Sequence, residues 1–397
     1  MSEFDLSKAR FETRQLHAGE HPDYFRAGFP PIYLTSSYWC ESTEQAQMLM
    51  ADKGKGHLYS RFNNPTVDAM EKRLASLEGY DECVSAASGL AAIAQLIFAH
   101  VKPGENIVSA TKIYGGTFGM LEREFKPLGI ETRWIDDATD YNGYRKLIDG
   151  KTRLLLFETP GNPLVNIVDI DEVVKIGRDT GVPTVLDNTF ATPFLQPVAH
   201  LGVDIVVHSL TKYITGHGTS IGGAVIGRRE LMDPVRWGPH ANLGPTFSPF
   251  NAWLMLIGLD TLSIRMERHS ENAMALALWL KDHPKVAYAN YPGLPGSPGH
   301  EVAKKQMRMF GGMLGFGAAG GYDHAVRILD GLKLIKHQVS LGDVKSIILH
   351  PASSTHFPVP IEIKERLGIK PEYIRLSVGL EHVEDLKEDL DQALNSG

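Results

Sequence analysis

The sequence contains little cysteine, no long apolar run and no excess of basic residues. Its two cysteines, Cys40 and Cys83, are too few for a disulfide framework and lack the spacing of zinc ligands. The 16 histidines are scattered, without an HExxH or a paired CxxC motif, so no metal site is expected. No apolar stretch approaches the roughly 18 residues of a membrane span. A net charge of −7 argues against a nucleic-acid partner, which usually requires a basic face.

The N-terminal segment 1–20 has mixed charge and no apolar core, so it lacks the pattern of a secretory signal peptide. We therefore expect a cytoplasmic protein without a membrane partner. With 397 residues, 43% of them hydrophobic, the chain can bury a substantial core, and its length predicts two or three domains.

Apolar runs of strand length alternate with helical patterns through most of the chain. The strand patterns CVSAA and NIVSA are each followed by a helical pattern, and the runs RLLLF, VPTVL and VDIVV come later. This alternation predicts an α/β fold with a mostly parallel sheet covered by helices. From Pro284 onward the pattern changes and favours a smaller α+β domain with an antiparallel sheet.

Two helical segments have clear boundary signals. Asn64 is expected as an N-cap, Pro65 as the first helical residue and Gly79 as the residue that ends the helix. A longer helical pattern begins at Ser248 and runs to about His283. We expect this longer helix to bridge the two domains.

Lys212 directly follows the buried strand pattern VDIVVHS and precedes a run of glycines. A lysine in that position is poorly hydrated, and desolvation lowers its pKa toward the range where the free amine is a nucleophile. A Schiff-base lysine requires that property. The structural alternative is an ordinary surface lysine after an edge strand.

Asp187 ends the neighbouring strand pattern VPTVL. Ligands of open α/β sheets bind at the carboxyl ends of the strands, so Asp187 and Lys212 are expected to face one crevice. Pyridoxal phosphate needs both partners, a lysine for its aldehyde and an acid for its ring nitrogen. The pair therefore predicts pyridoxal 5'-phosphate as the cofactor.

Four motifs support a resemblance to a known family. They are YSRFNNPT at Tyr59, DNTFATP at Asp187, SLTKY at Lys212 and HPASSTH at His350. With these motifs the chain, from about residue 11 to about residue 394, resembles the Cys/Met-metabolism family of pyridoxal-phosphate enzymes. The family includes cystathionine γ-synthase, cystathionine lyases, methionine γ-lyase and the O-acylhomoserine sulfhydrylases.

The resemblance implies a fold type I enzyme with a seven-stranded sheet. It divides the chain into an arm that contacts a neighbouring subunit, 1–60, a cofactor-binding domain, 61–257, and a C-terminal domain, 258–397. It further implies a homotetramer built from dimers with shared active sites, in which Tyr59 and Arg61 reach the cofactor phosphate of the adjacent subunit. From the residues alone, these two are equally well a stacked aromatic and a salt-bridged cation.

The cofactor phosphate is expected at the start of the apolar helix that follows Ser88. Ser88 at the N-cap and Gly89 after it leave backbone N–H groups free there, and the helix dipole favours an anion. Ser209 and Thr211 offer further hydroxyl donors, and the resemblance adds Leu90 to this set. The alternative is that Ser88 is an ordinary N-cap.

By the resemblance, Tyr114 stacks on the pyridine ring and donates a proton to the leaving group. Asn162 is then the residue near the ring oxygen. From the residues alone, Tyr114 is a rim aromatic, and Asn162 is a turn residue between Gly161 and Pro163.

Arg375 is a lone cation in the apolar strand pattern YIRLSVG. A buried arginine must be paired, and a carboxylate is its best partner. The resemblance implies that Arg375 binds the substrate α-carboxylate, with Ser340 and Gly116 also in the substrate site. An internal Asp or Glu partner is the structural alternative.

The resemblance implies an enzyme that acts on γ-substituted L-amino acids by replacement or elimination. Gly116 stands where methionine γ-lyases typically carry cysteine, and the runs GHGTSIGG and GPTFSPFNAW are similar to O-acylhomoserine sulfhydrylases. The first hypothesis is therefore synthesis of homocysteine from O-acetyl- or O-succinylhomoserine and sulfide.

A γ-lyase is the alternative, because the HQVSLGD segment is closer to γ-lyases and the chain lacks an insertion that many acetylhomoserine enzymes carry. It would act on methionine, cystathionine or a γ-oxygen analogue such as canavanine, and release a 2-oxo acid and ammonia. A third hypothesis is a cofactor-binding regulator without turnover.

Overall fold

The computed structural model describes residues 5–20, 23, 25–355, 357 and 361–396. The predicted arm is thus described in part, and His356, the last residue of the HPASSTH motif, lies outside the described residues. Within those ranges, none of the helices combines the length and the apolar character of a membrane-crossing segment.

A seven-stranded sheet forms the centre of the larger part of the molecule. Its strands are β1 (Glu82–Ala86), β2 (Asn106–Ala110), β3 (Glu131–Ile135), β4 (Thr152–Glu158), β5 (Thr184–Asp187), β6 (Ile205–Ser209) and β7 (Gly223–Gly227). Their spatial order is β1-β7-β6-β5-β4-β2-β3. Of these seven strands, β7 runs antiparallel to its two neighbours and the other six are mutually parallel. The prediction of a mostly parallel seven-stranded sheet is confirmed.

Eleven helices accompany this sheet in the described residues, and several of them cover its two faces. They are Phe11–His17, Thr43–Ala51, Pro65–Glu78, Gly89–His100, Gly115–Met120, Tyr141–Leu147, Ile170–Thr180, Thr192–Leu195, Arg229–Val235, Ala241–Leu243 and Pro249–Asp260. A π-helical segment, Leu121–Phe125, continues the helix Gly115–Met120. Successive strand residues point to opposite faces, so Val185 packs in one apolar core with Ile93, and Leu186 in another with Leu74.

The helix Pro65–Glu78 begins and ends where the sequence predicts. The side chain of Asn64 accepts a hydrogen bond from the N–H of Thr66 at 3.0 Å. Gly79 closes the helix with φ of 85°, a left-handed conformation that glycine adopts without the steric cost of a Cβ.

The single long helix predicted from Ser248 is instead two helices, Pro249–Asp260 and Leu262–Lys281. Between them Thr261 has φ of −115° and ψ of 9°, outside the helical region. Arg265 donates to the Thr261 hydroxyl at 3.0 Å and to a carbonyl of the preceding turn at 2.6 Å. The break leaves the carbonyl of Gly258 without its helical donor, and the buried guanidinium of Arg265 donates to that carbonyl instead. This bond stabilises the break.

A five-stranded sheet forms the second part. Its strands are β8 (Val286–Asn290), β9 (Met313–Ala318), β10 (Lys336–His337), β11 (Ile347–Leu349) and β12 (Tyr373–Ser377), in the order β10-β11-β12-β9-β8. The pairs are antiparallel except β10 with β11, which is parallel. The accompanying helices are His300–Gln306, Gly321–Gly331, Ile361–Arg366 and Val383–Asn395. The predicted smaller α+β domain is therefore present, with one parallel pair in its sheet.

The helix Leu262–Lys281 connects the two parts. Its residue Met266 belongs to the core of the large sheet, whereas Leu276 belongs to the core of the small sheet. The N-terminal helix is also anchored, since the ring of Phe11 packs edge-on against Phe194 with centroids 5.2 Å apart. A cleft lined by residues of both sheets' ends and loops lies between these connected parts.

Candidate active site

A cleft of about 860 Å³ opens at the carboxyl ends of β4, β5 and β6, facing the small sheet. Twelve of the predicted site residues line it: Ser88, Gly89, Leu90, Tyr114, Gly116, Asn162, Asp187, Ser209, Thr211, Lys212, Ser340 and Arg375. This is the edge at which parallel α/β sheets bind ligands. Residues that are far apart in the sequence therefore meet in one concave site.

Lys212 lies one turn beyond the end of β6, inside the cleft. Its Nζ donates a hydrogen bond to Oγ of Ser340 at 3.2 Å, and no described acidic residue forms an ion pair with it. Burial, with a further effect from the nearby Arg375 cation, lowers the pKa of Lys212 to about 8. A surface lysine would keep its ordinary pKa, so this amine has the properties of a nucleophile.

Asp187 is the last residue of β5, and its carboxylate lines the floor of the cleft. Its Oδ1 accepts a hydrogen bond from the N–H of Thr189 at 3.0 Å. Burial raises the pKa of Asp187 above its ordinary range. A cationic donor placed against the carboxylate would restore its ionised form, because an adjacent opposite charge favours ionisation. The side chain is thus suited to bond a protonated ring nitrogen.

The start of the helix Gly89–His100, the predicted anion cradle, also lines the cleft. Ser88 caps the helix, and its Oγ accepts from the N–H of Ala91 at 3.1 Å. The first N–H groups of a helix have no intrahelical acceptor and face an anion favourably. A Cβ on Gly89 would lie 3.0 Å from the Cβ of Ser209 and 3.3 Å from its Oγ, so only glycine leaves this approach open.

The hydroxyl of Thr211 is committed to the loop that follows Lys212. It accepts from the N–H of Gly222 at 3.1 Å and donates to the carbonyl of the same residue at 3.2 Å. Thr211 therefore shapes the cradle wall, and its hydroxyl must give up one of these bonds to donate to an anion.

Arg375, at the centre of β12, is a buried cation without an acidic partner among the described residues. Its Nη1 donates to Oδ1 of Asn162 at 2.8 Å, and its Nη2 donates to the carbonyl of Ser340 at 2.7 Å. Its Nε is buried and has no hydrogen-bond partner in the described chain. Burial lowers the pKa of Arg375 to about 10. The internal ion pair considered above is absent from the described residues, and the cleft offers space for an external carboxylate.

Glu158 also lines the cleft, and the sequence analysis missed it. Its Oε2 accepts from the N–H of Tyr114 at 2.6 Å, and its Oε1 accepts from the N–H of Asn162 at 2.7 Å. Burial and the charge of Asp187, its register partner on β5, raise the pKa of Glu158 well above its ordinary range. Glu158 ends β4 as Asp187 ends β5, so the strand-end argument applied to Asp187 would have found it.

The ring of Tyr114 lies over Gly116 at the mouth of the cleft. A Cβ on Gly116 would lie 2.5 Å from Cε1 of Tyr114 and 3.1 Å from its hydroxyl oxygen. The absence of a side chain at position 116 is therefore required for this position of the tyrosine ring.

Tyr59 and Arg61 do not contribute to the described lining of this cleft. The guanidinium of Arg61 donates to the carbonyl of Ala241 and lies 5.3 Å from the ring centroid of Tyr59 and 4.8 Å from that of Phe62. Tyr59 is 42% exposed. In a single chain, these two predicted cofactor residues are thus separate from the other twelve.

Comparison with known families assigns the chain. The model of the family described as Cys/Met metabolism PLP-dependent enzyme matches residues 12–395. The chain belongs to this family. It is a pyridoxal-phosphate-dependent enzyme, so the predictions of family, fold class, cofactor and enzymatic nature are confirmed.

Individual members of the Cys/Met family match along nearly their whole length. An O-acetyl-L-homoserine sulfhydrylase of Thermus thermophilus is 42% identical over 420 aligned residues, which cover 97% of this chain and 100% of the relative. An L-methionine gamma-lyase of Fusobacterium nucleatum is 39% identical, with 98% and 99% covered.

A solved structure from Campylobacter jejuni, provisionally assigned as an O-acetylhomoserine (thiol)-lyase, matches with a TM-score of 0.94 and 37% identity. The match covers 98% of this chain and 100% of that one, and the solved structure contains N'-pyridoxyl-lysine-5'-monophosphate.

In the protein described here, three features of the cleft match the three polar parts of pyridoxal phosphate. The helix start at Gly89, which approaches Ser209 closely for want of a Cβ, suits the phosphate, and the buried carboxylate of Asp187 suits the ring nitrogen. The desolvated amine of Lys212 suits the aldehyde.

Proposed function

We propose that this enzyme replaces the γ-substituent of an O-acyl-L-homoserine with sulfide, giving homocysteine and the free carboxylic acid. The observation that supports this most directly is the meeting of Lys212, Tyr114 and Arg375 in one cleft. These supply a proton carrier, an acid for a leaving group and an unpaired cation for a carboxylate. The similarity to sulfhydrylases over the whole chain supports the same reaction.

In this proposal Arg375 binds the substrate α-carboxylate, for which its unpartnered Nε is available. Bound pyridoxal phosphate supplies an electron sink for the carbon atoms of the substrate. Lys212, with a pKa of about 8, takes the α-proton as a base, passes that proton on and, as a free amine again, takes the β-proton. Tyr114 donates its hydroxyl proton to the departing acyl oxygen. Sulfide then adds at the γ-carbon, and Lys212 returns protons to the β- and α-carbons.

We further propose that the cofactor is held by Ser88, Gly89, Leu90, Ser209 and Thr211 around its phosphate. Asp187 then lies at the ring nitrogen and Asn162 near the ring oxygen. In a single chain Tyr59 is exposed, and Arg61 lies next to its ring. This exposure supports the proposal that both residues contribute to the site of an adjacent subunit.

The organisation that accompanies this proposal has three segments. They are the arm 1–60, the cofactor domain 61–257 and the C-terminal domain 258–397. The enzyme would be a cytoplasmic homotetramer made of dimers that share active sites, with an amino acid as its small-molecule substrate.

A γ-lyase is the second candidate. The 39% identity to an L-methionine gamma-lyase supports it, and the same residues would serve, since both reactions share the steps up to loss of the γ-substituent. In that case no external nucleophile adds, and the products are a 2-oxo acid and ammonia from methionine, cystathionine or a γ-oxygen analogue such as canavanine.

A substrate panel tests both candidates. Purified holoenzyme is incubated with O-acetyl-L-homoserine, O-succinyl-L-homoserine, methionine, cystathionine and canavanine, each with and without sulfide, and homocysteine, 2-oxo acid and ammonia are measured. Homocysteine that depends on sulfide and on one of the two esters is expected. Failure of both esters to yield homocysteine contradicts the sulfhydrylase proposal, and 2-oxo acid formed without sulfide then supports the lyase. The Lys212→Ala variant serves as the inactive control.

A further inference from the structure

Glu158 lines the cleft, yet none of the proposed chemical roles uses it. Its carboxylate accepts one backbone N–H at each oxygen, from Tyr114 at 2.6 Å and from Asn162 at 2.7 Å. Both are short for N–H···O bonds, as is typical of strong acceptors in a dry site. Tyr114 follows β2 and Asn162 follows β4. One buried side chain therefore joins two loops that arise from different strands.

The connection continues from Asn162 into the small sheet. Its Oδ1 accepts a hydrogen bond from Nη1 of Arg375 at 2.8 Å, and Nη2 of Arg375 donates to the carbonyl of Ser340 at 2.7 Å. The position of the guanidinium thus depends on where the loop holds Asn162. Movement of Glu158 would shift Tyr114 and Arg375 relative to one another.

We propose that Glu158 is a positioning residue that fixes the separation between Tyr114 and, through Asn162, Arg375. The inference rests on the proposed roles of these two residues. Arg375 would bind the α-carboxylate of the substrate while Tyr114 protonates its γ-substituent, so the distance between these two side chains must match the substrate. A misplacement of about 1 Å lowers rates roughly 100-fold.

A carboxylate is the side chain that this arrangement requires. Both partners are N–H donors, and each carboxylate oxygen accepts one of them. Glutamine has the same shape but presents an NH₂ group to one of the two donors, so one N–H loses its acceptor. Aspartate keeps both acceptor oxygens but is one methylene shorter, about 1.5 Å, and cannot reach both loops.

Comparison of Glu158→Gln with Glu158→Asp distinguishes a positioning role of Glu158 from an electrostatic one. Asp187 is the register partner of Glu158 on β5, and its charge raises the pKa of Glu158. If this ionisable group were the only role of Glu158, Glu158→Asp would restore activity that Glu158→Gln loses. Under the positioning role, both variants lose activity.

Asp389 provides a matched control. This buried carboxylate, in the helix Val383–Asn395, accepts the N–H groups of Lys333, Leu334 and Ile335 at 2.8, 3.0 and 2.8 Å. Like Glu158, it holds backbone N–H groups with both carboxylate oxygens, here of one segment, but it does not line the cleft. The Asp389→Asn variant therefore reports what a lost carboxylate clamp does to stability alone.

The experiment compares two reactions of each holoenzyme. One is release of the γ-substituent from the best substrate of the wild type, which needs Tyr114. The other is exchange of the α-hydrogen of L-alanine with deuterated water, which needs Lys212 but no leaving-group acid. Melting temperature and affinity for added pyridoxal phosphate are measured on the same samples.

For Glu158→Gln and Glu158→Asp we expect kcat for γ-release to fall about 10- to 100-fold and KM to rise, while kcat for α-hydrogen exchange changes by less than about threefold. Asp389→Asn should lower the melting temperature and leave both kcat values near wild type.

The inference is overturned if γ-release by Glu158→Gln stays within about threefold of wild type, or if both reactions fall equally. Recovery of γ-release in Glu158→Asp also overturns it, in favour of a charge effect. If neither variant folds, Glu158 is needed for folding and the positioning role is rejected. A wild type that is a lyase contradicts the proposed function but leaves this comparison intact, because both reactions release a γ-substituent.

Discussion

The amine of Lys212 and the hydroxyl of Ser340 lie 3.2 Å apart, and this hydrogen bond connects the loop after β6 with the small domain. The backbone carbonyl of Ser340 also receives Nη2 of Arg375. One residue of the small domain therefore contacts both the amine of Lys212 and the guanidinium of Arg375.

Ser340→Ala should lower kcat about 10-fold, because Lys212 loses its hydrogen-bond acceptor while the backbone contact to Arg375 is kept. The melting temperature should stay near that of the wild type, since the side chain is only partly buried. Steady-state kinetics and thermal unfolding on the same preparation check both expectations. A melting temperature that falls together with kcat would indicate a structural role instead.

The pKa of about 8 for Lys212 predicts how cofactor capture depends on pH. Below this pH the amine is protonated and not nucleophilic, so the rate at which apoenzyme binds pyridoxal phosphate should rise about tenfold per pH unit and then level off above pH 8. The rate is followed by the visible absorbance of the bound cofactor.

Arg375→Leu tests the cause of that shift. The Arg375 cation lowers the pKa of Lys212, so its removal should move the pH profile to higher pH. Arg366→Leu is the control, because Arg366 pairs with Asp136 at the surface and does not line the cleft. An unchanged profile in Arg375→Leu would show that burial alone sets the pKa.

Gly116→Ala should reduce activity without reducing stability. The new Cβ would lie 2.5 Å from Cε1 of Tyr114, so the ring must leave its position and kcat for γ-release should fall about 10-fold. Alanine is favoured over glycine in a helix by up to about 1 kcal/mol, so the free energy of unfolding should not decrease. Gly150→Ala, where a Cβ meets nothing within 4 Å, is the control for kinetics and denaturant unfolding.

Much of the site could be predicted because it follows from strand ends. Lys212 and Asp187 were found from apolar runs that stop at a polar residue, and the structure has both at one edge of the sheet. Glu158 satisfies the same rule, so its place at this edge was predictable, whereas its backbone N–H partners are revealed by no sequence pattern. The helix break at Thr261 was missed for a related reason.

The helix break at Thr261 depends on the side chain of Arg265, which contacts residues that precede it in the sequence. Arg265 donates to Thr261 and to carbonyls on two different segments, those of Gly258 and Tyr213. Helical periodicity continues through the break because both helices bury apolar faces. Only the tertiary contact decides where one helix ends, so periodicity alone predicted a single helix.

Arg265→Leu should destabilise the enzyme by about 3 to 5 kcal/mol, because it leaves several buried carbonyl groups without donors. Its contact with the carbonyl of Tyr213, at 2.7 Å, also supports the turn next to Lys212, so cofactor affinity should fall as well. Urea unfolding and cofactor titration measure the two effects. Arg265→Lys keeps the charge but not the fork of donors, and should give an intermediate loss.

Shared active sites predict that two inactive variants restore each other. Arg61→Ala removes the proposed contribution to the adjacent subunit, whereas Lys212→Ala removes the amine within the chain's own cleft. If both residues belong to one site across a dimer interface, a mixed dimer contains one site with both defects and one intact site. Unfolding and refolding an equal mixture should then recover about a quarter of wild-type activity, because half of the dimers are mixed and each has one of two sites intact.

Each variant refolded alone is the control. Recovery no greater than that of the separate variants would mean that Arg61 acts within its own chain, and its contact with the carbonyl of Ala241 would then be its main role.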